Sequence, residues 1–208
     1  MSTLLGLDAS PRGDRSISRA LGKRFVEYWQ RNNPGGTVLG RDLNATHIPY
    51  MDNDWIAGVY APAEMQRTQE MRSALALSAE LVSELLAADT LLISTPMYNF
   101  TIPAVLKSWI DYVVRPGYTF RLAPGWPGML ENKKARVIVA SRDSYPRSEL
   151  VESWDQVTPV LRKALSFMGI TDIEVVHAGG SLAVNLGKVS LDDHISVHDF
   201  AIAALAKC

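Results

Sequence analysis

Five short apolar runs, each leaving into a turn-rich loop and then a stretch of helical periodicity, constrain this chain more than any other feature. The runs lie at residues 3–7, 37–39, 90–95, 135–140 and 173–177, the second being the weakest. They read as continuously apolar rather than alternating, as strands covered on both faces do. After the first, Ile17, Leu21, Phe25 and Tyr28 recur at helical spacing, while Arg19, Lys23, Arg24, Glu27 and Arg31 take the other positions. Pro34-Gly35-Gly36 stops that helix. Residues 68–88 carry Met71, Ala74, Leu75, Ser78, Leu81, Val82 and Leu85 on one face. Pro103 sits in the first turn of a helix reaching Arg115, and Thr158-Pro159 opens another that runs to Met168, with Gly169 at its C-cap. Leu191, Ile195, His198, Ile202 and Leu205 mark a closing helix. Right-handed strand–helix–strand crossovers then build an α/β, doubly wound, open parallel five-stranded sheet with helices on both faces.

The 208 residues suit one domain spanning 1–208, with no internal repeat or linker. Twenty-one Lys and Arg against 22 Asp and Glu leave a net charge of −1, so no general field attracts nucleic acid or anionic lipid, and the expected partner is a small molecule. The single cysteine, Cys208, permits no intrachain disulfide and no Cys-based metal cluster, and fits the cytoplasm. No signal peptide or membrane span is read. His194 and His198 stand four apart, a spacing that can bind zinc, but no Glu follows His194 and no third ligand is evident, so no metal site is expected. Two long interruptions stand out: residues 41–67, with Trp55 and Tyr60, and 118–134, with Tyr118, Phe120 and Trp126. Loops of that length are usually functional, and these read as a dimer face, a substrate lid, or both.

In open parallel sheets ligands lie beyond the carboxyl ends of the strands, where strand order reverses. The loop after the first strand reads Ser10-Pro11-Arg12-Gly13-Asp14-Arg15-Ser16-Ile17-Ser18 and opens directly into a helix. Free N–H groups at the helix start, three hydroxyls and a favourable dipole suit a terminal phosphate, with Arg12 as its candidate counter-charge. Gly-x-Gly-x-x-Gly and the Walker lysine pattern are both absent. Ser16 or Ser18 equally suits an ordinary helix cap.

The segment Pro96-Met97-Tyr98-Asn99-Phe100-Thr101-Ile102-Pro103 is more specific. With Ser10, Ser16, Ser18, Gly117-x-Thr119-Phe120, Lys133-Lys134-Ala135, Ser141-Arg142 and Phe167-Met168-Gly169-Ile170-Thr171-Asp172, it resembles the FMN-dependent NADH-azoreductases, which also act as NADH:quinone oxidoreductases within the flavodoxin-like superfamily. The resemblance covers nearly the whole chain. It implies that Ser10, Ser16, Ile17 and Ser18 hold the FMN phosphate, and that Pro96, Met97, Tyr98, Asn99 and Phe100 line the ring. It also implies Ser141, Arg142, Asp143 and Ser144 at the pyrimidine edge, and Tyr60, Tyr118, Phe120 and Trp126 toward substrate in a homodimer whose active sites are completed by the partner chain. Apolar Met97, Tyr98 and Phe100 with the Asn99 amide suit an isoalloxazine, although core packing beneath a strand end would also account for such rings.

The chain departs from the family at Asp143-Ser144, where azoreductases carry Gly-Gly after Ser-Arg. A carboxylate there opposes an anionic reduced flavin. The implied activity is a ping-pong exchange in which NADH or NADPH reduces the flavin and a quinone or azo acceptor then takes the nicotinamide's place, with no indispensable acid or base side chain. A flavin-binding redox carrier, or a flavoenzyme dedicated to one metabolite, stays open as an alternative.

Overall fold

A computed structural model describes residues 1–62, 65–143 and 154–207. In chain order the elements are β1 (Thr3–Asp8), α1 (Ile17–Asn32), β2 (Thr37–Asp42), α2 (Leu43–Thr46), α3 (Asn53–Tyr60), α4 (Gln69–Ala87), β3 (Thr90–Pro96), α5 (Ala104–Val113), β4 (Lys134–Ala140), α6 (Val157–Phe167), β5 (Asp172–Ala178), α7 (Ser181–Asn185) and α8 (Leu191–Leu205). A 3₁₀ turn, Gly13–Arg15, precedes α1.

The strands form one sheet in the order β2-β1-β3-β4-β5, every pair parallel. Register aligns Leu39, Leu5, Leu91, Ala135 and Ile173 across it, an apolar row on one face. That face is buried by α3, α4, α5 and α6 through Trp55, Leu81, Leu85, Leu106, Trp109 and Leu161. The period of two sends Leu4, Leu92, Ile138 and Ala140 to the other face, where α1 and α8 cover them with Leu21, Phe25, Trp29, Ile202 and Leu205. Strand β2 stands at the edge, half-exposed along its length, which explains its weak apolar signal. Helix α1 lies so close to β3 that a β-carbon on Gly22 would come within 2.3 Å of the Ser94 hydroxyl, so any side chain there requires Ser94 or the helix to shift.

Two expectations are corrected. Residues 41–67, read as irregular, contain α2 and α3, whose N-caps Asp42 and Asp52 accept from Asn44 N–H and Trp55 N–H. Helices of four and eight residues are too short to show apolar periodicity, so capping is their only local signal. Trp55, read as part of a surface loop, is buried and packs 5.5 Å from Tyr112. The second interruption, 118–134, does lack a helix. It is clamped on the end of α6 by the Leu130 N–H to Met168 carbonyl bond, 2.8 Å. Gly128 there leaves no room for a β-carbon against Met168 and Gly169.

Candidate functional site

The chain turns from β1 outward to β2 and then returns past β1 to β3, so strand order reverses between β1 and β3. Loops leaving the carboxyl ends of these two strands diverge and open a crevice. The Ala9 N–H to Ser94 carbonyl bond, 3.0 Å, carries the β1–β3 pairing to the lip of that crevice.

Ser10, Ser16 and Ser18 are all buried there. Ser16 caps α1 by accepting from the Arg19 N–H at 3.2 Å, and its Oγ stands 3.2 Å from the Ser18 Oγ. The ordinary capping reading is therefore correct for Ser16, yet it does not exhaust the residue, because an oxygen that accepts the cap hydrogen still has its own proton to donate. The first turn of α1 leaves the Ile17 and Ser18 N–H groups without intrahelical acceptors. The Arg19 side chain braces the loop, bonding the Ser10 carbonyl at 3.2 Å, Asp42 at 2.8 Å and Asp8 at 3.4 Å. Burial raises the Asp8 carboxyl above its ordinary value, with Arg19 opposing and Asp42 adding. Burial also pushes on Asp42, but hydrogen bonds from Arg19 and Asn44 outweigh it and hold that carboxyl below its usual range.

At the end of β3, Tyr98 and Thr101 exchange backbone hydrogen bonds of 3.0 and 3.1 Å, which makes residues 98–101 a tight turn. Both central residues are left-handed, Asn99 at φ 48° and Phe100 at φ 72°. Asparagine tolerates that region; for a bulky residue such as phenylalanine it is an outlier, and such strain concentrates at binding sites. The turn holds the Phe100 ring half out in solvent, edge-on to Trp154 at 5.7 Å.

These loops enclose two cavities that share Met97, Tyr98 and Arg142. The smaller, about 200 Å³, is lined by Ser10, Arg12, Ser16, Ile17, Ser18, Pro96, Met97, Tyr98, Ala140, Arg142, Ser181 and Asn185. The larger, about 620 Å³, is lined by Met97, Tyr98, Asn99, Phe100, Arg142, Asp143 and Trp154. Hydroxyls and helix N–H groups wall the first, and an apolar slot with one amide, one guanidinium and one carboxylate walls the second. A phosphate in the one and a ring in the other matches the polarity of both, so the residues present fit a flavin mononucleotide.

Of the residues expected at the site, Ser141 and the substrate group are placed elsewhere. Ser141 is buried and donates to the Asp143 carbonyl at 2.6 Å, so its hydroxyl shapes the loop instead of lining either cavity. Ser144 lies outside the described residues. Phe120 is buried, 4.9 Å from Phe167 and 5.9 Å from Trp126, and lines neither cavity. Tyr60, Tyr118 and Trp126 are exposed and line neither cavity. Four lining residues went unread at the site: Ala140, read only as part of a strand, and Trp154, Ser181 and Asn185. Trp154 has no motif around it, whereas Ser181 and Asn185 follow Gly179-Gly180 after the last strand, a turn signal that marked another strand-to-helix loop at the same sheet edge. Ser181 and Leu182 donate to the Ser141 and Arg142 carbonyls, which ties α7 to the loop after β4.

A parallel sheet with a hydroxyl-lined helix start opening into an apolar slot at its switch point defines a mononucleotide-binding α/β protein. A profile of the flavodoxin-like fold matches residues 2–195, and the chain belongs to that family, in the branch of the FMN-dependent NADH:quinone oxidoreductases and azoreductases. It is 41% identical over 206 residues to "FMN-dependent NADH:quinone oxidoreductase 8" of Burkholderia lata, spanning 98% of this chain and 97% of the relative. A Nostoc protein called "FMN-dependent NADH:quinone oxidoreductase" is 40% identical over 205 residues, again 98% and 97% of the two chains. Among solved structures, azoreductase AzrA superposes with a TM-score of 0.87 at 27% identity over 99% of both chains.

Proposed function

We propose that this chain is an FMN-dependent oxidoreductase that takes electrons from NADH or NADPH and reduces quinones, azo compounds and related small aromatic acceptors. The observation that carries the reading is the pairing of the buried Ser10–Ser16–Ser18 hydroxyls at the α1 start with the Met97–Phe100 slot, in a chain 41% identical to a relative named for that activity. FMN, when bound, accepts a hydride and passes on two electrons.

The chain's own residues supply binding, orientation and exclusion of water. Ser10, Ser16, Ser18 and the Ile17 and Ser18 N–H groups donate to the phosphate, with Arg12 adding charge from the rim. Met97 and Tyr98 form the floor of the slot, Pro96 lines the adjoining phosphate cavity, Asn99 offers its amide, and Phe100 and Trp154 close the outer side. Arg142 and Asp143 stand at the polar edge. No side chain is assigned a proton-transfer role. The unit works as a single domain, in the cytoplasm, and as a homodimer in which the exposed Tyr60, Tyr118 and Trp126 become buried or face the partner's site. Apolar surface of that extent is seldom left wet on a monomer, which supports the dimer.

Fluorescence titration of FMN onto the apoprotein tests the reading, alongside Ser16→Ala combined with Ser18→Ala. Two hydrogen bonds to a charged group are worth about 1.5–3 kcal/mol each, so affinity should fall roughly tenfold or more per serine. Absence of stoichiometric FMN binding by the native chain would refute the proposal, and equal affinity in the double variant would remove the phosphate assignment. Parallel double-reciprocal plots with NADH and a quinone are expected from the ping-pong order. Sedimentation should give twice the chain mass of 22.9 kDa.

A further inference from the structure

A third cavity, about 210 Å³, shares no lining residue with the two cavities of the flavin site in the same chain. Arg67, Arg72 and Arg115 all line it, with the Tyr118 ring and with Leu75 and Ala79 of α4. Among the described residues none of the three guanidiniums forms an ion pair. Elsewhere the chain treats its arginines differently. Arg19 is held by Asp8 and Asp42, Arg24 by Glu27 and Asp199, Arg41 by Glu80 and Glu84, and Arg136 by Asp172 and Glu174.

In the third cavity the partners of these arginines among the described residues are neutral. Arg67 Nε donates to the Gly58 carbonyl at 2.7 Å, Arg72 to the Gln69 side chain at 2.8 Å and to the Arg67 carbonyl, and Arg115 to the Ser78 hydroxyl. Arg115 is 5% exposed, lies against the Tyr118 and Trp55 rings, and its Nε has no hydrogen-bond partner among the described residues. Burial lowers its affinity for its proton; Tyr118 opposes that and the neighbouring Arg67 charge adds to it. Arg67 and Arg72 flank the start of α4, the positive end of the helix dipole, where cations are disfavoured. Glu70, fully exposed, is the carboxyl that feels Arg72, but at no ion-pairing distance. Arg67 and Arg72 are exposed at the start of α4, whereas Arg115 is buried beside Ser78 farther along that helix, its Nε unpartnered among the described residues. The cavity thus gathers three positive charges that an anion would offset.

We propose that this cavity is a binding site for a phosphoryl group. A guanidinium fork matches phosphate oxygens two at a time, and three forks offset a dianion, whereas a lone carboxylate occupies one. The Tyr118 ring with Leu75 and Ala79 gives an apolar shoulder for whatever carries the phosphate. That carrier is either the nicotinamide nucleotide donor or a separate phosphate; the first source rests on the proposed function, the site itself does not.

The test uses the full chain carrying stoichiometric FMN, so that the serine loop is filled, at constant ionic strength set with chloride. Calorimetric titration with inorganic phosphate and with pyrophosphate should show saturable binding of one anion per chain. Arg67→Gln with Arg72→Gln should weaken it at least tenfold while FMN stoichiometry stays unchanged, and Arg115→Lys, which keeps the charge and loses the fork, should weaken it to a lesser degree. Absence of saturable binding, equal affinity in the double variant, or binding seen only when FMN is absent would each overturn the site. The last outcome would return the anion to the serine loop. Steady-state kinetics separate the sources: a raised KM for NADH or NADPH with kcat unchanged assigns the phosphoryl group to the nucleotide, and an unchanged KM beside weakened phosphate binding assigns it to a separate phosphate. If the chain binds no FMN, the flavin reading fails by itself, and the same titration on the chain as purified still decides the arginine site.

Discussion

Phe100 keeps φ at 72° although a β-carbon disfavours that region by about 1–3 kcal/mol. The turn hydrogen bonds between Tyr98 and Thr101 and the Gln156 N–H to Phe100 carbonyl bond, 2.8 Å, hold it there. Phe100→Gly removes the strain together with the ring. Stability should stay level or rise by up to about 1 kcal/mol, while KM for a quinone rises several-fold; a thermal melt beside a kinetic assay checks the split. A loss of both would mean that the ring supports the fold rather than the ligand. Asp143, on the wall of the larger cavity, brings a negative charge toward the polar edge of the slot. Asp143→Asn should raise the two-electron potential of the bound flavin by some tens of millivolts, since about 30 mV corresponds to 1.4 kcal/mol. An unchanged potential in redox titration would show that the carboxylate faces away from the ring.

Helix α1 joins packing to binding, because its first turn presents the phosphate donors while its middle lies on β3 at Gly22. Gly22→Ala forces the Ser94 side chain or the helix to move. The expected cost is about 1–3 kcal/mol of stability together with weaker FMN binding, read by chemical denaturation and by titration. Both effects should appear in one variant, since a helix that lifts from the sheet carries Ser16 and Ser18 with it. The α4–α5 pair is joined in a comparable way through Ser78, which donates to the Tyr112 carbonyl and accepts from Arg115. Any change in the arginine cavity is thereby linked to the packing of two helices on the opposite face from α1.

Across the molecule, α8 buries His194 and half-buries His198, rings 5.1 Å apart. Burial lowers the proton affinity of both, and the neighbouring His194 adds to the effect on His198. In the unfolded chain these imidazoles take protons near pH 6.5. The fold resists protonation, so the stability they contribute is present above about pH 6.5 and is lost as pH falls through the lower folded values. The melting temperature should therefore drop between about pH 7 and pH 5, and drop less in His194→Gln. Parallel curves for the two proteins would dismiss this pair as the origin of acid sensitivity.

Sequence by itself determined the strand–helix alternation, the serine loop and the Met97–Phe100 loop, because periodicity, turn chemistry and capping act over a few residues. Residues that meet across the chain were decided only by the tertiary structure. Trp154 and Phe100 are 54 positions apart and face one cavity, while Trp55 and Phe120, aromatic residues in stretches read as loops, pack inside. Nothing within a few residues of Arg67, Arg72 or Arg115 records that they converge or that no carboxylate accompanies them among the described residues. Local sequence restricts the backbone at each position, whereas burial and charge pairing depend on neighbours supplied by distant segments when α4 and α5 dock on the same face of the sheet.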